Sequence, residues 1–306
     1  MKKSVKLVMI IVLLMAGGCT TQKKEENTRI IDTSMFLYKV SDQKGKYSYL
    51  FGTCHPGRYP IKSLDKVTEK ALDESDSIYL ECDMKPSPRE TEEITKYNTY
   101  NSIRDLGLED KYENLMKQYK SLKGKPGYAF YNVFVISSLV ISDPEVLNKA
   151  NISKFNAIDN YIYDYAQKKK NFKEVEGIEF QMKLLTELSG DYSETILDNL
   201  ANKEMVIKNA KKDLDAYYSG NTQYYEDGQN LLINQFKQLN DNDKEKYEKY
   251  WNILLYNRNI HMKDTLINSI NNGKHDFMGI GCKHIYGKKG IIQLLKDDGY
   301  LVECMK

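Results

Sequence analysis

Two histidines in this chain follow a glycine at the same spacing, and each stands just past an apolar run. The first lies in Gly52-Thr53-Cys54-His55, after Tyr49-Leu50-Phe51. The second lies in Gly281-Cys282-Lys283-His284, after Phe277-Met278-Gly279-Ile280. Imidazole serves as a metal ligand or as a general acid or base near neutral pH. A glycine ahead of it lets the backbone turn sharply and approach a bound group closely. Each Gly-x-x-His is followed by an amphipathic stretch and then by a second apolar run ending in a carboxylate: Ile78-Tyr79-Leu80-Glu81-Cys82 and Tyr300-Leu301-Val302-Glu303-Cys304. The chain has only 4 histidines, so a repeat that uses two of them marks a candidate site. Two imidazoles and one carboxylate make a three-ligand set that leaves water a coordination position, the general form of a catalytic divalent-metal site. Glu81, one strand beyond His55, is the first choice for the carboxylate. Glu179 is the second, as ligand or as the general base that collects and returns a proton during hydrolysis. Glu303 lies almost at the C-terminus and is expected to be exposed or structural.

A further element is Tyr256-Asn257-Arg258-Asn259-Ile260-His261-Met262. Arg258, with Asn259 beside it, is a candidate to bind a substrate carboxylate or to stabilise a developing oxyanion. An ion pair to a nearby acid is the alternative use of the same guanidinium. His261 and His275 are read as solvent-facing or capping residues.

The elements that must position these groups follow from pattern. Met35–Val40 and Tyr47–Phe51, separated by a polar turn, read as a hairpin. A helix is expected from Ser63, with Leu64, Val67, Ala71 and Leu72 at helical spacing, and then a strand at 77–82. Strand, helix and strand in that order suggest a βαβ crossover in a largely parallel sheet. The region 90–270 is mostly helical in pattern, with Tyr128–Ile141 read as one core helix. The exception is Phe172–Glu179, read as a strand followed by a new helix. Gly220 and Asp241-Asn242-Asp243 break the later helices. The expected fold is therefore α/β: a central mixed, largely parallel sheet built from the two strand-GxxH-helix-strand units near the chain ends, with a large helical insertion. Ligands of such sheets bind beyond the carboxyl ends of strands, where His55, Glu81, Glu179 and His284 can converge.

Composition bounds the function class. Across 306 residues, 45 basic and 43 acidic side chains nearly cancel, so no global field argues for nucleic acid. The 24 tyrosines are read as core and groove packing, because no basic stripe accompanies them. A mean hydropathy of −0.61 does not fit a polytopic membrane protein. At the N-terminus, Lys2-Lys3, the apolar run Val8–Met15 and Ala16-Gly17-Gly18 precede Cys19, a pattern that reads as a secretory signal. It resembles a bacterial lipoprotein signal spanning 1–18. Cys19 would then carry lipid, residues 19–34 would form a polar tether, and 35–306 would be the body. That places the protein outside the cytoplasm, attached to the cell membrane. Cys54, Cys82, Cys282 and Cys304 are even in number and could pair, but their strand contexts favour buried small side chains. Cys54 and Cys282 are also weaker candidates as soft ligands.

Several of these motifs together resemble the TraB/GumN (TraB/PrgY/GumN) family, of which the Tiki proteases are relatives. The resemblance covers about residues 35–306. Gly52-Thr53-Cys54-His55 with Pro60 is similar to the family's GTxH motif, and Tyr79-Leu80-Glu81 to its glutamate-bearing strand. Asp159 with Ala166, followed by Gly177-Ile178-Glu179 and Gln181, resembles the central D…A…GLE…Q region. Arg258-Asn259-Ile260-His261-Met262 resembles the RNxxM helix. Gly281 to Gly287, with Gly290 and Gly299-Tyr300, resembles the closing GxxHxxG…GY block. The resemblance implies a metal-dependent peptidase or hydrolase using a divalent ion (Mn, Co or Zn), with a peptide or protein as substrate. It equally allows a non-catalytic, pheromone-sequestering lipoprotein. A metal-independent hydrolase using His and Glu directly is a third reading of the same residues.

Overall fold

The computed structural model describes residues 28–153, 156–169, 171–237 and 239–306. The signal segment and Cys19 lie outside the described residues. Those residues fall into two compact units. Of the described residues, one unit comprises those within Lys85–Lys154 and Ile178–Asp213; the other comprises those from 28 to Met84 and those within Phe155–Gly177 and Leu214–Lys306.

The second unit contains the sheet. Its strands are β1 (Arg29–Ile31), β2 (Leu37–Ser41), β3 (Tyr47–Thr53), β4 (Ile61–Leu64), β5 (Ile78–Leu80), β6 (Phe172–Glu174), β7 (Phe277–Gly281) and β8 (Leu301–Cys304). Six of them form one sheet in the order β6-β5-β7-β3-β2-β8, while β1 and β4 make a separate parallel pair. The β2–β3 and β2–β8 pairings are antiparallel, and β3–β7, β7–β5 and β5–β6 are parallel. The expected α/β class and mixed, largely parallel sheet are both present.

Strand β7, from the C-terminal repeat, lies between β3 and β5 of the N-terminal one. The two copies are thus interleaved rather than side by side. Central strands with both neighbours paired should be apolar nearly throughout. Leu50, Phe51, Phe277 and Ile280 accordingly have no exposed surface. At the amino ends of these strands, buried Asp276 accepts hydrogen bonds from the Ser77 backbone N–H (3.0 Å) and the Ser269 hydroxyl (2.8 Å). The Ser48 hydroxyl accepts from the Asp276 N–H at 3.2 Å. Through its carboxylate and its backbone N–H, Asp276 thereby ties the starts of β3, β5 and β7 together.

Some boundaries differ from the sequence reading. The first helix spans Lys66–Glu74 instead of starting at Ser63, because Asp65 caps it by accepting from the Val67 and Thr68 N–H groups. Ser63 and Leu64 belong to β4. β1 falls inside the stretch read as tether. The run Tyr128–Ile141 divides: Pro126–Phe130 is a 3-10 turn, and Asn132 caps a separate helix, Val133–Ile141. The helices after residue 214 belong with the sheet and not with the insertion. Among the described residues, no helix is long and apolar enough to cross a membrane.

Replacing Asp276 with alanine leaves the Ser77 N–H without its charged acceptor. We expect Asp276→Ala to lower the unfolding free energy by about 2–4 kcal/mol in urea titration, with Asp276→Asn recovering part of the loss. An alanine variant as stable as wild type would contradict this.

Candidate active site

Because β3 and β7 are parallel and aligned Thr53 to Gly281, the two Gly-x-x-His turns leave the sheet at the same edge. β5, on the other side of β7, ends at Leu80, so Glu81 emerges there as well. The three side chains meet over Gly281. A Cβ placed on this glycine would lie 3.3 Å from Glu81 Oε1, 3.6 Å from His55 Nε2 and 3.9 Å from His284 Cδ2. Any larger residue would occupy the space the three groups share. The Gly281 N–H donates to Glu81 Oε1 at 2.8 Å, and that oxygen lies 3.9 Å from His55 Nε2.

A hydrogen bond at His284 and a close carboxylate contact at His55 engage Nδ1 of each ring. The amide of buried Asn259 donates through Nδ2 to the Lys289 carbonyl (2.7 Å), so its Oδ1 is an acceptor toward His284 Nδ1 at 2.6 Å. His284 must therefore carry its proton on Nδ1 and keep a lone pair on Nε2. Burial and then the Arg258 cation push its pKa down to about 3, so the ring is neutral at ordinary pH. His55 presents Nδ1 to Asp159 Oδ2 at 3.3 Å, leaving Nε2 toward Glu81. Burial opposes the imidazolium here too, but the Asp159 carboxylate, and Glu81 after it, outweigh burial and raise its pKa to about 9. Both rings are oriented through Nδ1, as is usual for imidazoles that ligate through the other nitrogen.

Glu81 is held from its other side. Arg258, only 6% exposed, donates to Glu81 Oε2 at 2.8 Å. It also forms a two-point pair with Glu176, at 2.8 Å through Nε and 2.7 Å through an amino group. Another amino N–H reaches the Leu254 carbonyl at 3.1 Å, within the π-helical turn Asn252–Tyr256 that precedes Arg258's helix, Asn257–Asn271. Pairing continues past the ends of β5 and β6: Val175 N–H donates to the Leu80 carbonyl, and Glu176 and Gly177 N–H to that of Glu81. This extension brings Glu176 beside Glu81. Burial alone would raise the Glu81 pKa. Arg258, the two histidines and the Gly281 N–H lower it far below the usual carboxylate range.

The structure thus brings together His55, Glu81, Arg258 and His284, and it reassigns three expectations. Arg258, read as a contact for a substrate carboxylate or oxyanion, is buried and donates instead to Glu81, Glu176 and the Leu254 carbonyl, the ion-pair use of the same guanidinium. Asn259, read as a substrate contact, has no exposed surface, and both ends of its amide are used within the protein; it positions His284. Glu179, read as ligand or base, stands in the other unit at the start of the helix Ile178–Leu200. Its half-exposed carboxylate pairs with Lys183 and accepts from the Tyr97 hydroxyl. The acid that reaches the site from that region is Glu176. The central motif drew attention to Gly177-Ile178-Glu179, whereas the strand-like pairing that selects Glu176 depends on β5 and cannot be seen locally. Asp159 carried no assigned role before its contact with His55.

His261 is exposed and His275 half-buried, and they are bonded to the carbonyls of Val175 and Tyr47. Glu303 is exposed on β8. Cys54, Cys82, Cys282 and Cys304 are thiols, with Cys54 and Cys282 buried. Among the described residues, no three His, Cys, Asp or Glu side chains are drawn tightly enough together to hold a metal ion as they stand.

An α/β sheet with a buried and a half-buried imidazole and a glutamate at the carboxyl ends of adjacent parallel strands defines the class of protein to which this site belongs. The model of the TraB/PrgY/gumN family matches residues 36–304, and the chain belongs to that family. No curated protein and no solved structure matches it.

The two histidines should shape the pH dependence of stability in opposite directions. An unfolded histidine titrates at about 6.5. With its folded pKa raised, His55 contributes stability that is complete below that value and lost as pH rises through about 9. With its folded pKa lowered, His284 contributes stability that is complete above about 6.5 and lost as pH falls toward about 3. Glu81 steepens the acid side only below the usual range for a free carboxylate. In chelator, stability should therefore peak near pH 6.5. His55→Ala should flatten the alkaline limb and His284→Ala the limb between pH 6 and 4. Urea midpoints measured at half-unit steps test this, and an unchanged alkaline limb in His55→Ala would contradict it.

Proposed function

We propose that the protein is a metal-dependent hydrolase acting on peptides outside the cytoplasm, held to the membrane by lipid on Cys19. The observation that carries the reading is the approach of a carboxylate oxygen of Glu81, Nε2 of His55 and the Cδ2 edge of the His284 ring to one space over Gly281, with Nδ1 of each ring facing a protein oxygen. The neutral His284 ring, the His55 ring once its proton is displaced, and a carboxylate suit Mn²⁺, Co²⁺ or Zn²⁺. All three side chains border the space a Cβ would fill at Gly281. The signal-like segment and Cys19 support the location. Family membership supports the choice of peptide, by way of the Tiki and PrgY-type relatives.

In this reading His55, His284 and Glu81 hold the ion. A divalent cation there would supply Lewis-acid polarisation of a scissile carbonyl and would acidify water. The chain's own residues supply the rest. Asp159 and Asn259 hold the imidazoles in the ligating tautomer. Arg258 fixes the Glu81 carboxylate, and Glu176 balances the Arg258 charge, so the glutamate stays ionised. The proton that Asp159 and Glu81 favour on His55 is the one an arriving cation displaces, so loading should release acid.

A second reading has its own observation. The pKa values of the two histidines are pushed in opposite directions, His55 up and His284 down, which is the arrangement of an acid and base pair. On that view His55 donates a proton to the leaving amine and no ion is needed.

Peptide-library cleavage by the full chain, read by mass spectrometry with and without chelator, separates the two. We expect turnover only in the metal-loaded protein, a loss of at least about a hundredfold in His55→Ala and His284→Ala, and a loss of about 10–100-fold in Asn259→Ala. Undiminished cleavage in chelator would sink the metal-dependent reading and favour the acid–base one. Full activity in both histidine variants would sink both readings.

A further inference from the structure

The unit made of Lys85–Lys154 and Ile178–Asp213 carries a surface that the site does not use. Between Glu113 and Asp143 there is no Asp or Glu, while Lys117, Lys120, Lys123 and Lys125 fall within a few residues of one another. All four are exposed. Elsewhere in the same unit Lys111, Lys149, Lys183 and Lys203 each make an ion pair with a carboxylate; these four do not, among the described residues. Successive turns hold them together. Leu122 and Lys123 N–H donate to the Tyr119 carbonyl, Lys125 N–H to that of Leu122, and Tyr128 N–H to that of Lys125.

Aromatic rings stand among these cations. Phe130 is 52% exposed, and the exposed Arg104 guanidinium lies over its ring at 5.0 Å. Arg104 is brought there by its N–H, which donates to the Ala129 carbonyl at 3.0 Å. Lys125 lies 5.0 Å over the half-buried Tyr128 ring. The nearest acid in sequence to Arg104 is Asp105, whose carboxylate accepts from the Ser102 N–H. Behind the turn, Asp143 is buried and faces Lys203.

Unpaired cations beside an exposed aromatic ring match the boundary of an anionic bilayer. Headgroup phosphates meet the ammonium groups there, and the ring reaches the acyl edge. We propose that the surface formed by Lys117, Lys120, Lys123, Lys125, Arg104 and Phe130 docks onto anionic lipid. This is a contact separate from any lipid on Cys19.

Co-sedimentation of the full chain with vesicles tests this, using phosphatidylcholine alone and phosphatidylcholine containing about one-third phosphatidylglycerol. Each lysine near an anionic surface contributes roughly a fivefold gain in partitioning, so Lys120→Gln/Lys123→Gln/Lys125→Gln should lose about a hundredfold on the anionic vesicles. That variant should change little on neutral vesicles. Phe130→Ser should weaken anionic-vesicle binding several-fold. The triple variant Lys62→Gln/Lys66→Gln/Lys70→Gln, an equal charge change in the other unit, should stay within about twofold of wild type. Thermal melts of each variant check folding. Equal binding of wild type and the 120/123/125 variant to anionic vesicles would overturn the proposal. So would complete competition by soluble polyphosphate together with no effect of Phe130→Ser, which would mark the surface as a site for a soluble acidic partner.

Discussion

A guanidinium buried to 6% exposure cannot stand uncompensated, and the charge balance around Arg258 governs the arrangement of the site. Removing a charge from water costs several kcal/mol, recovered only by close, well-directed partners. Arg258 has two: Glu176 meets it at two points and Glu81 at one. Glu176 has no exposed side-chain surface and Glu81 very little, so neither can relax into solvent. Deleting one member of such a cluster costs about 3–5 kcal/mol because it strands the others. Glu81 is therefore confined to one place, with Oε2 on the arginine and Oε1 on the Gly281 N–H beside His55. The position of one carboxylate oxygen follows from charge neutralisation a few ångströms behind it.

That confinement depends on the interleaving of the two repeats. β7 arrives from the far end of the sequence and takes the slot between β3 and β5, and only then do His55, Glu81 and His284 share an edge. The pairing that continues from β6 past Glu81 adds Glu176 to the same edge. The helix Ile158–Lys169 brings Asp159 to His55, and the helix after the π turn brings Arg258 and Asn259. The site is assembled from segments distributed from residue 55 to residue 284, so its geometry and the closure of the sheet are one event.

Much of this was legible in the chain. The hairpin, the two strand-GxxH units, the strand at Phe172 and the convergence of His55, Glu81 and His284 rest on local signals: alternation, glycine at a turn, and polar residues just past apolar runs. What could not be read depended on partners distant in sequence. Glu176 and Glu179 are indistinguishable by type and context, and only pairing with β5 places the former on Arg258. Asn259 carries the marks of a substrate contact until the Lys289 carbonyl is seen to occupy its amide. Asp65, by contrast, was a local capping signal that the helical spacing of Leu64 obscured. The division of the helical region had no composition shift to announce it.

In the proposed function His55, Glu81 and His284 form a single metal-binding set, with each imidazole engaged through Nδ1. Its most direct test is elemental analysis of the full chain after incubation with excess Mn²⁺, Co²⁺ or Zn²⁺ and removal of unbound ion. About one divalent ion per chain is expected in the wild type and none in His55→Ala or His284→Ala. An ion retained at that stoichiometry in both variants, or none bound by a correctly folded wild type, would contradict it.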